Sequence, residues 1–376
     1  MSTFDDETAR AVASARAQLP ETPPADRVVF GFDGYVDNVR KVVADRSDPE
    51  TYDRLDTLAD YGDRVQASVA ADSSLSFEWL QDGTRTGGHT SHLGRAFGHW
   101  GFDPVMIGMY GDPILDVFAE EFGEYDLHTL GEPGSTDAVE FNDGKLMLIE
   151  NGDTMELDWE RLCETVDRET LRTSLDGAAL LGTGYWAETP DLPDVFDGLA
   201  ELWGDVADPP ETVLVDPGDV RKLDGERLQK GKAAIGRLNE VASVVVSANR
   251  VETQLLAETD ADVEGESIER QAEVVFETLD ISLFVSHGID RSLVVTPEGT
   301  TSVAVPSVDD PELTTSSGDH FNAGLALALV AGVDPAGAVV VGNAVAGAFV
   351  RHGEPPSIER VTAFIESYEA KFDGSE

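Results

Sequence analysis

The sequence has 376 residues, with 73 Asp and Glu against 26 Lys and Arg, which gives a formal net charge of −47. Apolar residues make up 41% of the chain, so it can build a large core and is not of the disordered class, which combines high charge with low hydrophobicity. The strong negative charge excludes nucleic acid as a partner and disfavours an anionic membrane surface, because phosphates would be repelled.

The basic residues are also unusual, because only six of them are lysines. Acidic residues spread along a whole chain, with lysine scarce, are what a protein in multi-molar salt needs for hydration and solubility. At about 1 M salt the Debye length is roughly 3 Å, so repulsion among the carboxylates is largely screened. We therefore expect a cytoplasmic protein of a salt-accumulating cell. An acidic interaction tail is the alternative, but the acids are not concentrated at one end.

Cysteine content and the apolar runs set further limits. Cys163 is the single cysteine, so disulfides are excluded and a cysteine-based metal site is not expected. The first residues are polar and acidic, without the apolar segment of a signal peptide. The most apolar run, 325–333, is shorter than the roughly 20 residues of a membrane span. We expect a soluble, intracellular protein.

The N-terminal half of the chain alternates short apolar runs with charged stretches. Residues 1–26 predict an amphipathic helix over 5–19 and a proline-rich linker, which together extend the domain that begins at Arg27. The elements expected next are a buried strand at 27–32, a charged helical insertion at 49–71, a half-exposed strand at 74–85, a helix that follows Gly87-Gly88 and ends near Trp100, an apolar strand at 104–109 and two short strands within 136–149.

The C-terminal half is more regular. Apolar strands at 178–181, 212–215, 243–246 and 283–285 alternate with helices at 192–203, 222–239 and 254–278, the last broken near Asp260, before a hairpin at 293–305 and three Ala- and Val-rich helices. This alternation predicts an α/β fold with a central, mostly parallel sheet covered by helices on both faces. We expect one large domain, residues 27–376, with a small β-strand lid formed near 74–86 and 136–149.

The most informative segment is the loop and helix start from Ser316 to Asp319. Small polar residues lead directly into an apolar helix, so the N–H groups of Ser317, Gly318 and Asp319 are expected at a helix N-terminus, where the helix dipole favours an anion. Gly318 would let a phosphate approach the backbone. Asp319 would then be placed to accept a proton from a hydroxyl that attacks that phosphate. A plain N-cap is the alternative, because Ser and Asp are common before helices.

Four further segments are also candidates for the functional site, and their order along the chain strengthens this interpretation. They are Asp33 with Asp37, Gly87-Gly88, the run 216–221 (Asp-Pro-Gly-Asp-Val-Arg) and Asn249 with Glu252. Asp33 and Asp37 follow the first strand, at the sheet edge where ligands bind in open α/β folds. Asn249 and Glu252 fall on one helix face at i and i+3. Each segment by itself is weak evidence for a functional site, since a strand-end Asp-Pro is usually a turn and Asn-x-x-Glu is common by chance.

Together and in this order, these segments resemble the ribokinase (PfkB) family of carbohydrate kinases, over about residues 27–372. The family's two signatures are recognisable in the run 87–92 (Gly-Gly-His-Thr-Ser-His), with Tyr110-Gly111-Asp112 downstream, and in the run 316–319 (Ser-Ser-Gly-Asp). The runs 216–221 and 249–252 resemble its intermediate motifs. Val285-Ser286-His287-Gly288 is similar to the strand end that borders its nucleotide site.

The resemblance implies an ATP- and Mg²⁺-dependent transfer of the γ-phosphoryl group to a hydroxyl of a sugar or sugar acid. Asp319 matches the family's catalytic base. The N–H groups of Ser317 and Gly318, in the loop that Ser316 opens, match the anion hole that stabilises charge on the transferred group. The predicted lid would close over the sugar and exclude water.

The resemblance also implies ligand contacts. Asn249 and Glu252 match the motif that organises Mg²⁺ through water, in keeping with a cation that retains its hydration shell. The implied nucleotide-binding residues are Asn249, Ser286, Gly288 and Asn343. The implied substrate-binding residues are Asp37, with Asp33 assisting, Gly87, Gly88 and His92. Lid strands in the family often pair between subunits, which makes a homodimer through the lid the expected assembly.

Three positions depart from the family pattern. The usual Gly-Ala-Gly-Asp is Ser-Ser-Gly-Asp at 316–319, which preserves the backbone donors. His92 replaces an Asn that normally touches sugar, so the substrate cannot be copied from ribokinase or fructokinase. Leu313 replaces the Asp that helps form the monovalent-cation site of potassium-activated members, so that site is altered or absent here.

Several alternatives stay open at this point. A nucleoside kinase is one, since the fold serves both classes and His92 would be able to stack on or bond a base. A non-catalytic protein that binds sugar or nucleotide on the same fold is another. Lys145 is expected to lie solvated on the predicted hairpin rather than to contact a ligand. Arg221 would either pair with Asp216 or reach the nucleotide. Core packing is the default for the helix that carries Asn343.

Overall fold

Within residues 3–260, 263, 265–308, 312 and 315–373, which the computed structural model describes, the chain forms fourteen β-strands and thirteen α-helices. The strands are β1 Arg27–Gly31, β2 Tyr35–Arg46, β3 Tyr52–Arg54, β4 Glu78–Gly87, β5 Asp103–Gly108, β6 Asp126–Thr129, β7 Gly134–Phe141, β8 Gly144–Glu150, β9 Ala178–Thr183, β10 Thr212–Val215, β11 Ser243–Asn249, β12 Leu283–His287, β13 Arg291–Thr296 and β14 Gly299–Ala304. The helices are α1 Asp6–Gln18, α2 Leu58–Ala70, α3 His89–His99, α4 Asp116–Phe122, α5 Trp159–Thr165, α6 Arg168–Leu175, α7 Leu192–Trp203, α8 Gly225–Asn239, α9 Arg250–Glu258, α10 Ile268–Leu279, α11 Ser317–Val330, α12 Pro335–His352 and α13 Ile358–Glu366.

Nine strands form the main sheet, in the order β14-β13-β12-β11-β10-β9-β1-β5-β6. The strands from β12 to β6 are parallel, and β13 and β14 add an antiparallel hairpin at one edge. Val213, Leu214 and Val215 of β10 are all buried, which is the continuous apolar pattern of strands covered on both faces. The predicted α/β fold with a mostly parallel sheet is confirmed.

Side-chain alternation along the strands divides the interior into two hydrophobic cores. In β1, Val29 belongs to the core that α7, α8 and α10 cover, whereas Val28 and Phe30 belong to the core that α3, α11 and α12 cover. A strand with this alternation and a helix on each face buries apolar side chains in both directions. The helices α11 and α12 carry Ala- and Val-rich surfaces, which is why they pack closely against one another.

The N-terminal helix α1 packs on the second of these cores. Ala11, Val12 and Ala15 are buried against it. Thr8 Oγ1 accepts a hydrogen bond of 3.0 Å from the N–H of Ala304, and Arg16 donates to the carbonyl of Ile365. Helix α1 therefore contributes to the same interior as the C-terminal helices.

A separate five-stranded sheet, the small sheet, consists of β3, β2, β7 and β8 in that order, with β4 paired to β2. Its central strand β2 carries both polar and apolar residues and was not expected from the sequence. The helical insertion expected at 49–71 is also partly wrong. Asp48 accepts hydrogen bonds from the N–H groups of Glu50 and Thr51 and forms a turn, and α2 begins only after the N-cap Thr57.

Among the helices that the structure describes, none combines the length and the apolar character needed to cross a membrane.

Candidate active site

Five adjacent parallel strands end at one edge of the main sheet, and each contributes a polar or aromatic residue there. These residues are Asp33 after β1, Tyr185 after β9, Asp216 after β10, Asn249 at the end of β11 and His287 at the end of β12. Ligands of open α/β sheets bind at this edge because the loops that follow the strands meet there. The strand-end positions singled out in the sequence therefore lie on one side of the molecule.

Two cavities lie at this edge and share Ser316 as a lining residue. The larger, of about 280 Å³, is lined by Tyr185, Glu188, Asp216, Gly218, Asp219, Asn249, Glu252, His287 and residues 316–319. The smaller, of about 210 Å³, is lined by Asp37, Arg85, His92, Arg95, Glu121, Ala138, Glu140, Met147, Thr315, Ser316, His320, Phe349, Gly353 and Pro355. The loop before α11 thus separates a carboxylate-rich cavity from one that contains two arginines.

Asp319 lies in the first turn of α11 and is 5% exposed. The hydroxyl of Tyr185 donates to its Oδ1 over 2.6 Å, and Nδ1 of His89 lies 3.2 Å from the same atom. His92 Nε2 is 3.9 Å from Oδ2. These three side chains come from two different regions of the chain, α3 and the end of β9, so the main sheet and α3 together fix the carboxylate.

The charge on Asp319 follows from these contacts. Burial by itself would raise the pKa of its carboxyl, but His92, His89 and the Tyr185 hydroxyl outweigh it and hold the pKa well below the usual range. For the His89 ring, burial favours the neutral form, but the bond to Asp319 and the nearby Asp216 raise its pKa above the ordinary 6.5. Asp319 is therefore ionised, and its contact with His89 favours the protonated form of that imidazole.

The N-terminus of α11 presents backbone donors that have no partner among the residues the structure describes. Its first backbone bond joins the His320 N–H to the Ser316 carbonyl over 3.1 Å, so the N–H groups of Ser317, Gly318 and Asp319 precede the first intrahelical bond. Ser316 is the N-cap residue, but its side chain accepts no hydrogen bond from the helix N–H groups, and it adopts a left-handed conformation with φ of 63°. The family's usual glycine at this position suits that conformation, which is strained for other residues.

His92 is held in one tautomer by its neighbours. Arg95 Nη1, which can only donate, lies 3.0 Å from His92 Nδ1, so Nε2 carries the proton and faces Ser316 Oγ at 2.9 Å. Burial lowers the pKa of His92 to about 3, which keeps the ring neutral. The residue therefore lines the smaller cavity while it anchors the loop before α11.

The two acidic residues after β1 have different surroundings. Asp33 is fully buried and accepts hydrogen bonds from the His89 and Thr90 N–H groups, so it caps α3. Asp37 lines the smaller cavity. Gly87 and Gly88 are needed because a Cβ at either position would lie 2.4 Å from Asp37 Oδ2 or 2.7 Å from Asp33 Oδ2. Of the two aspartates predicted to bind sugar, Asp37 lines the smaller cavity and Asp33 does not.

Five carboxylates line the larger cavity: Glu188, Asp216, Asp219, Glu252 and Asp319. Asn249 caps α9, with its Oδ1 accepting from the Glu252 N–H while Glu252 Oε2 accepts from the Asn249 N–H. Burial and the negative charge of Asp216 raise the pKa of Glu252. A divalent cation would relieve this repulsion, so the donor set of hard oxygen atoms fits Mg²⁺.

A third cavity, of about 270 Å³, adjoins the first through His287 and contains Ser286, Arg250 and Arg291 among its lining residues. Gly288 follows His287, and a Cβ there would lie only 2.7 Å from the Arg291 carbonyl oxygen, so a larger residue would not fit. Asn343 lies elsewhere: its side chain accepts from Ser292 Oγ over 2.9 Å and donates to the Tyr368 hydroxyl over 3.1 Å, inside the core.

The other predicted residues are placed as follows. Arg221 pairs with Asp219, whose Oδ1 accepts from Arg221 Nε over 2.6 Å, rather than with Asp216. Lys145 lies opposite Glu140 in the small sheet, and burial lowers the pKa of its half-buried ammonium group. Leu313 lies outside the described residues.

Sequence reasoning missed several residues of the site. Tyr185 is the clearest, and the strand-end rule that singled out Asp216 would have found it, because it follows β9 directly. His320 adjoins Asp319 in sequence, but a single histidine after the motif gave no signal of a ligand contact. Arg85 and Arg95 gave no local signal, since an arginine on a strand or helix is usually a solvated surface residue, and only the structure places both in the smaller cavity.

Comparison with known proteins identifies close relatives. Residues 4–368 match the prokaryotic ketohexokinase family. A ketohexokinase of Haloferax volcanii (strain DS2) is 51% identical to this chain over 376 residues, which cover 100% of both chains.

Solved structures show the same fold at much lower identity. A ribokinase of Thermotoga maritima has a TM-score of 0.59 and 20% identity, with 91% of this chain and 100% of that one covered. Phosphofructokinase-2 of Escherichia coli, in complex with potassium, has a TM-score of 0.61 and 14% identity, with 92% and 100% covered. A nucleoside kinase of Burkholderia thailandensis, in complex with inosine, has a TM-score of 0.59 and 15% identity, with 92% and 97% covered.

These findings confirm the predicted ribokinase-like fold and the prediction of a carbohydrate kinase. Matches to sugar kinases and nucleoside kinases at 20% identity or less establish the shared fold alone. The full-length relative and the family match decide between the two classes in favour of sugar phosphorylation. The chain belongs to the prokaryotic ketohexokinase family of carbohydrate kinases.

Proposed function

We propose that the protein transfers the γ-phosphoryl group of ATP to a hydroxyl of a ketohexose, with Asp319 as the base and Mg²⁺ as the metal. Membership of the family gives a sugar kinase, and the name of the Haloferax relative supports the ketohexose class. The base, the donor nucleotide and the metal are proposed from the geometry and chemistry of the site.

The observation that carries the proposal is the position of Asp319. It lines the larger cavity, and Ser316, three residues before it, lines both cavities. A hydroxyl of a sugar in the smaller cavity and a phosphate in the larger one would meet at this loop. Asp319 is ionised, because its pKa lies below the usual range, and its carboxylate can therefore orient the hydroxyl and accept its proton.

The N-terminus of α11 serves as the anion hole of the proposed reaction. The N–H groups of Ser317 and Gly318 precede the first intrahelical bond, and the helix dipole adds to their positive field. Charge that develops on the transferred phosphoryl oxygens is stabilised by such preorganised donors.

The larger cavity holds the metal and the phosphates in this proposal. Mg²⁺, when bound, neutralises charge on the phosphate oxygens. Glu252 and Asn249 would hold it through water, and Glu188, Asp216 and Asp219 add to the negative potential that favours a cation. The third cavity, with Ser286 among its lining residues, is proposed for the rest of the nucleotide.

The smaller cavity is proposed for the sugar. Asp37, His92 and Arg95 supply hydrogen-bonding groups there, and Ala138, Glu140 and Met147 come from strands β7 and β8 of the small sheet. The small sheet therefore forms one wall of the cavity and acts as the lid that excludes water. Leu148 and Ile149 of β8 are nearly half exposed, which supports the expected homodimer through this sheet.

The proposal is tested by ATP consumption in molar KCl with ketohexoses, aldopentoses, keto-deoxy acids and nucleosides as acceptors. We expect ketohexoses to give the highest kcat/KM and Asp319→Asn to lower kcat by about 10³-fold, as loss of a general base does. Asp63→Asn, an exposed aspartate on α2, is the matched control. Higher turnover of nucleosides would overturn the substrate class, and near wild-type turnover of Asp319→Asn would overturn the mechanism.

A further inference from the structure

The imidazole of His320 is a buried polar group that the proposed reaction does not yet use. The residue is 2% exposed and its ring stacks on Phe349, with centroids 3.6 Å apart and an interplanar angle of 13°. It lines the smaller cavity together with Asp37 and His92. Stacking on a residue of α12 fixes the plane of the ring. A phenyl ring would be able to stack in the same way, so the two ring nitrogens are what a histidine adds at this position.

The protonation of one ring nitrogen of His320 follows from its hydrogen-bond partner. Nδ1 lies 2.7 Å from the carbonyl oxygen of Ser316, which can only accept, so Nδ1 carries a proton and donates. Burial lowers the pKa of His320 to about 4, and the ring is therefore neutral at ordinary pH. In this tautomer Nε2 is a hydrogen-bond acceptor.

That acceptor has no partner among the described residues. Nε2 of His320 is buried and makes no hydrogen bond, and Oγ1 of Thr315, which lines the same cavity, is in the same situation. Buried polar atoms are nearly always satisfied, because leaving one unpaired costs about 1–3 kcal/mol. Two residues that line one cavity thus each carry an unpaired buried polar atom, which indicates that the ligand, or a water bound with it, supplies the missing partners.

We infer that His320 Nε2 accepts a hydrogen bond from a hydroxyl of the sugar bound in the smaller cavity, which makes His320 a specificity-determining residue. The inference rests on the proposed function and names one of its substrate contacts. The ligand group must be a donor, because Nε2 and the carboxylate of Asp37 both accept. A polyhydroxylated sugar supplies such donors on several sides, whereas a purely apolar or purely anionic group would leave His320 Nε2 unpaired.

The contact predicts discrimination between sugars that differ by one hydroxyl. A site built to bond a substrate hydroxyl rejects the analogue that lacks it, since the buried acceptor is then left unpaired. His320→Asn separates the two roles of the ring, because the shorter amide keeps a donor near the Nδ1 position and removes the acceptor at Nε2. His320→Gln places an amide oxygen near the Nε2 position and should restore the acceptor.

The experiment measures kcat and KM for the ketohexose that the wild type uses best, and for its singly deoxygenated analogues, in molar KCl. We expect His320→Asn to raise KM for the sugar about tenfold, the loss of one buried hydrogen bond, with kcat and KM for ATP little changed. His320→Gln should recover most of the difference. His99→Asn, an exposed histidine in the last turn of α3, is the matched control.

The analogues give a readout that a structural role would not change. One deoxy sugar should lose about tenfold in kcat/KM with the wild type and nothing further with His320→Asn. The same dependence on every hydroxyl in both proteins would overturn the inference, as would a fall in kcat with an unchanged sugar KM. If neither variant folds, indifference of the wild type to every single deoxygenation would overturn it. A wild type that phosphorylates no ketohexose would overturn the proposed function and this inference together.

Discussion

Asp319 combines burial with a pKa below the usual range, and this determines when it can act. A carboxylate with so low a pKa is a poor acceptor for the proton of a free sugar hydroxyl. Proton transfer becomes favourable only after bonding to phosphorus has made the hydroxyl more acidic. On the proposed mechanism, Asp319 therefore orients the hydroxyl first and takes its proton late. The hydrogen bonds from Tyr185 and His89 keep the carboxylate ionised and aligned until then.

Tyr185→Phe tests this arrangement. The change removes the donor that lies 2.6 Å from Asp319 Oδ1, and loss of a bond to the charged form raises the pKa of Asp319. We expect the acidic limb of the pH profile of kcat to move to higher pH, and kcat at neutral pH to fall about tenfold because the carboxylate is less well aligned. The exposed Tyr52, changed to Phe, is the control. An unmoved acidic limb would contradict the role given to Tyr185.

Ser316 lets backbone strain be measured separately from its hydroxyl. Ser316→Ala keeps a Cβ at a φ of 63° and loses the hydroxyl that bonds His92, whereas Ser316→Gly loses the same hydroxyl and relieves the backbone. We expect the Gly variant to exceed the Ala variant by about 1 kcal/mol in unfolding free energy. Urea unfolding at constant high KCl measures both. Equal stabilities would show that the left-handed conformation is not strained here.

At this scale the sequence predicted the residues that belong to contiguous motifs. Asp319, Gly87 and Gly88 lie where the motifs require them, since a local run of residues carries its own backbone geometry. His320 and Tyr185 were not predicted, because the Tyr185 hydroxyl reaches Asp319 from the end of β9 and the His320 ring stacks on Phe349 of α12. Such contacts depend on where whole elements pack, and single residues do not encode that.

Among the elements, the close packing of α11 on α12 depends on a glycine. A Cβ on Gly324 would lie 2.8 Å from Val345 Cβ and 2.9 Å from the Val341 carbonyl oxygen, whereas a Cβ on Gly62 of α2 has nothing within 4 Å. We expect Gly324→Ala to lower the unfolding free energy by about 1–3 kcal/mol through overpacking. Gly62→Ala should raise it by up to about 1 kcal/mol, the gain in helix propensity. Urea unfolding compares the two, and a stabilising Gly324→Ala would contradict the packing.

The elements that the sequence predicted well are those with one clear periodicity. Buried strands such as β10 and β11 are continuous apolar runs, and the break in the helical pattern near Asp260 separates α9 from α10. Strand β2 was missed because its buried, half-buried and exposed positions do not alternate strictly. The small sheet that it joins is covered on part of one face only, so burial leaves a weak pattern in the sequence.

For the whole molecule, the net charge of −47 and the proposed anionic ligand are compatible. The groups proposed to hold a nucleotide are backbone N–H groups, a helix N-terminus and a metal, none of which contributes to the count of Lys and Arg. The arginines that reach the smaller cavity, Arg85 and Arg95, face Glu140 and Glu121. The acid excess therefore acts on the stability of the folded chain more than on binding at the site.

Salt is accordingly the variable to which the whole fold should respond. Net charge of one sign destabilises a compact state by self-repulsion, and the Debye length falls from about 10 Å at 0.1 M salt to about 3 Å at 1 M. Because folded proteins are stable by only about 5–15 kcal/mol, partial screening is enough to decide whether the chain folds. We expect far-UV circular dichroism and thermal unfolding to show loss of structure in dilute KCl and recovery above about 1 M. Sucrose, which favours compact states without screening charge, is the control. Full structure and an unchanged Tm in dilute KCl would refute the inference that the acidic surface adapts this protein to high salt.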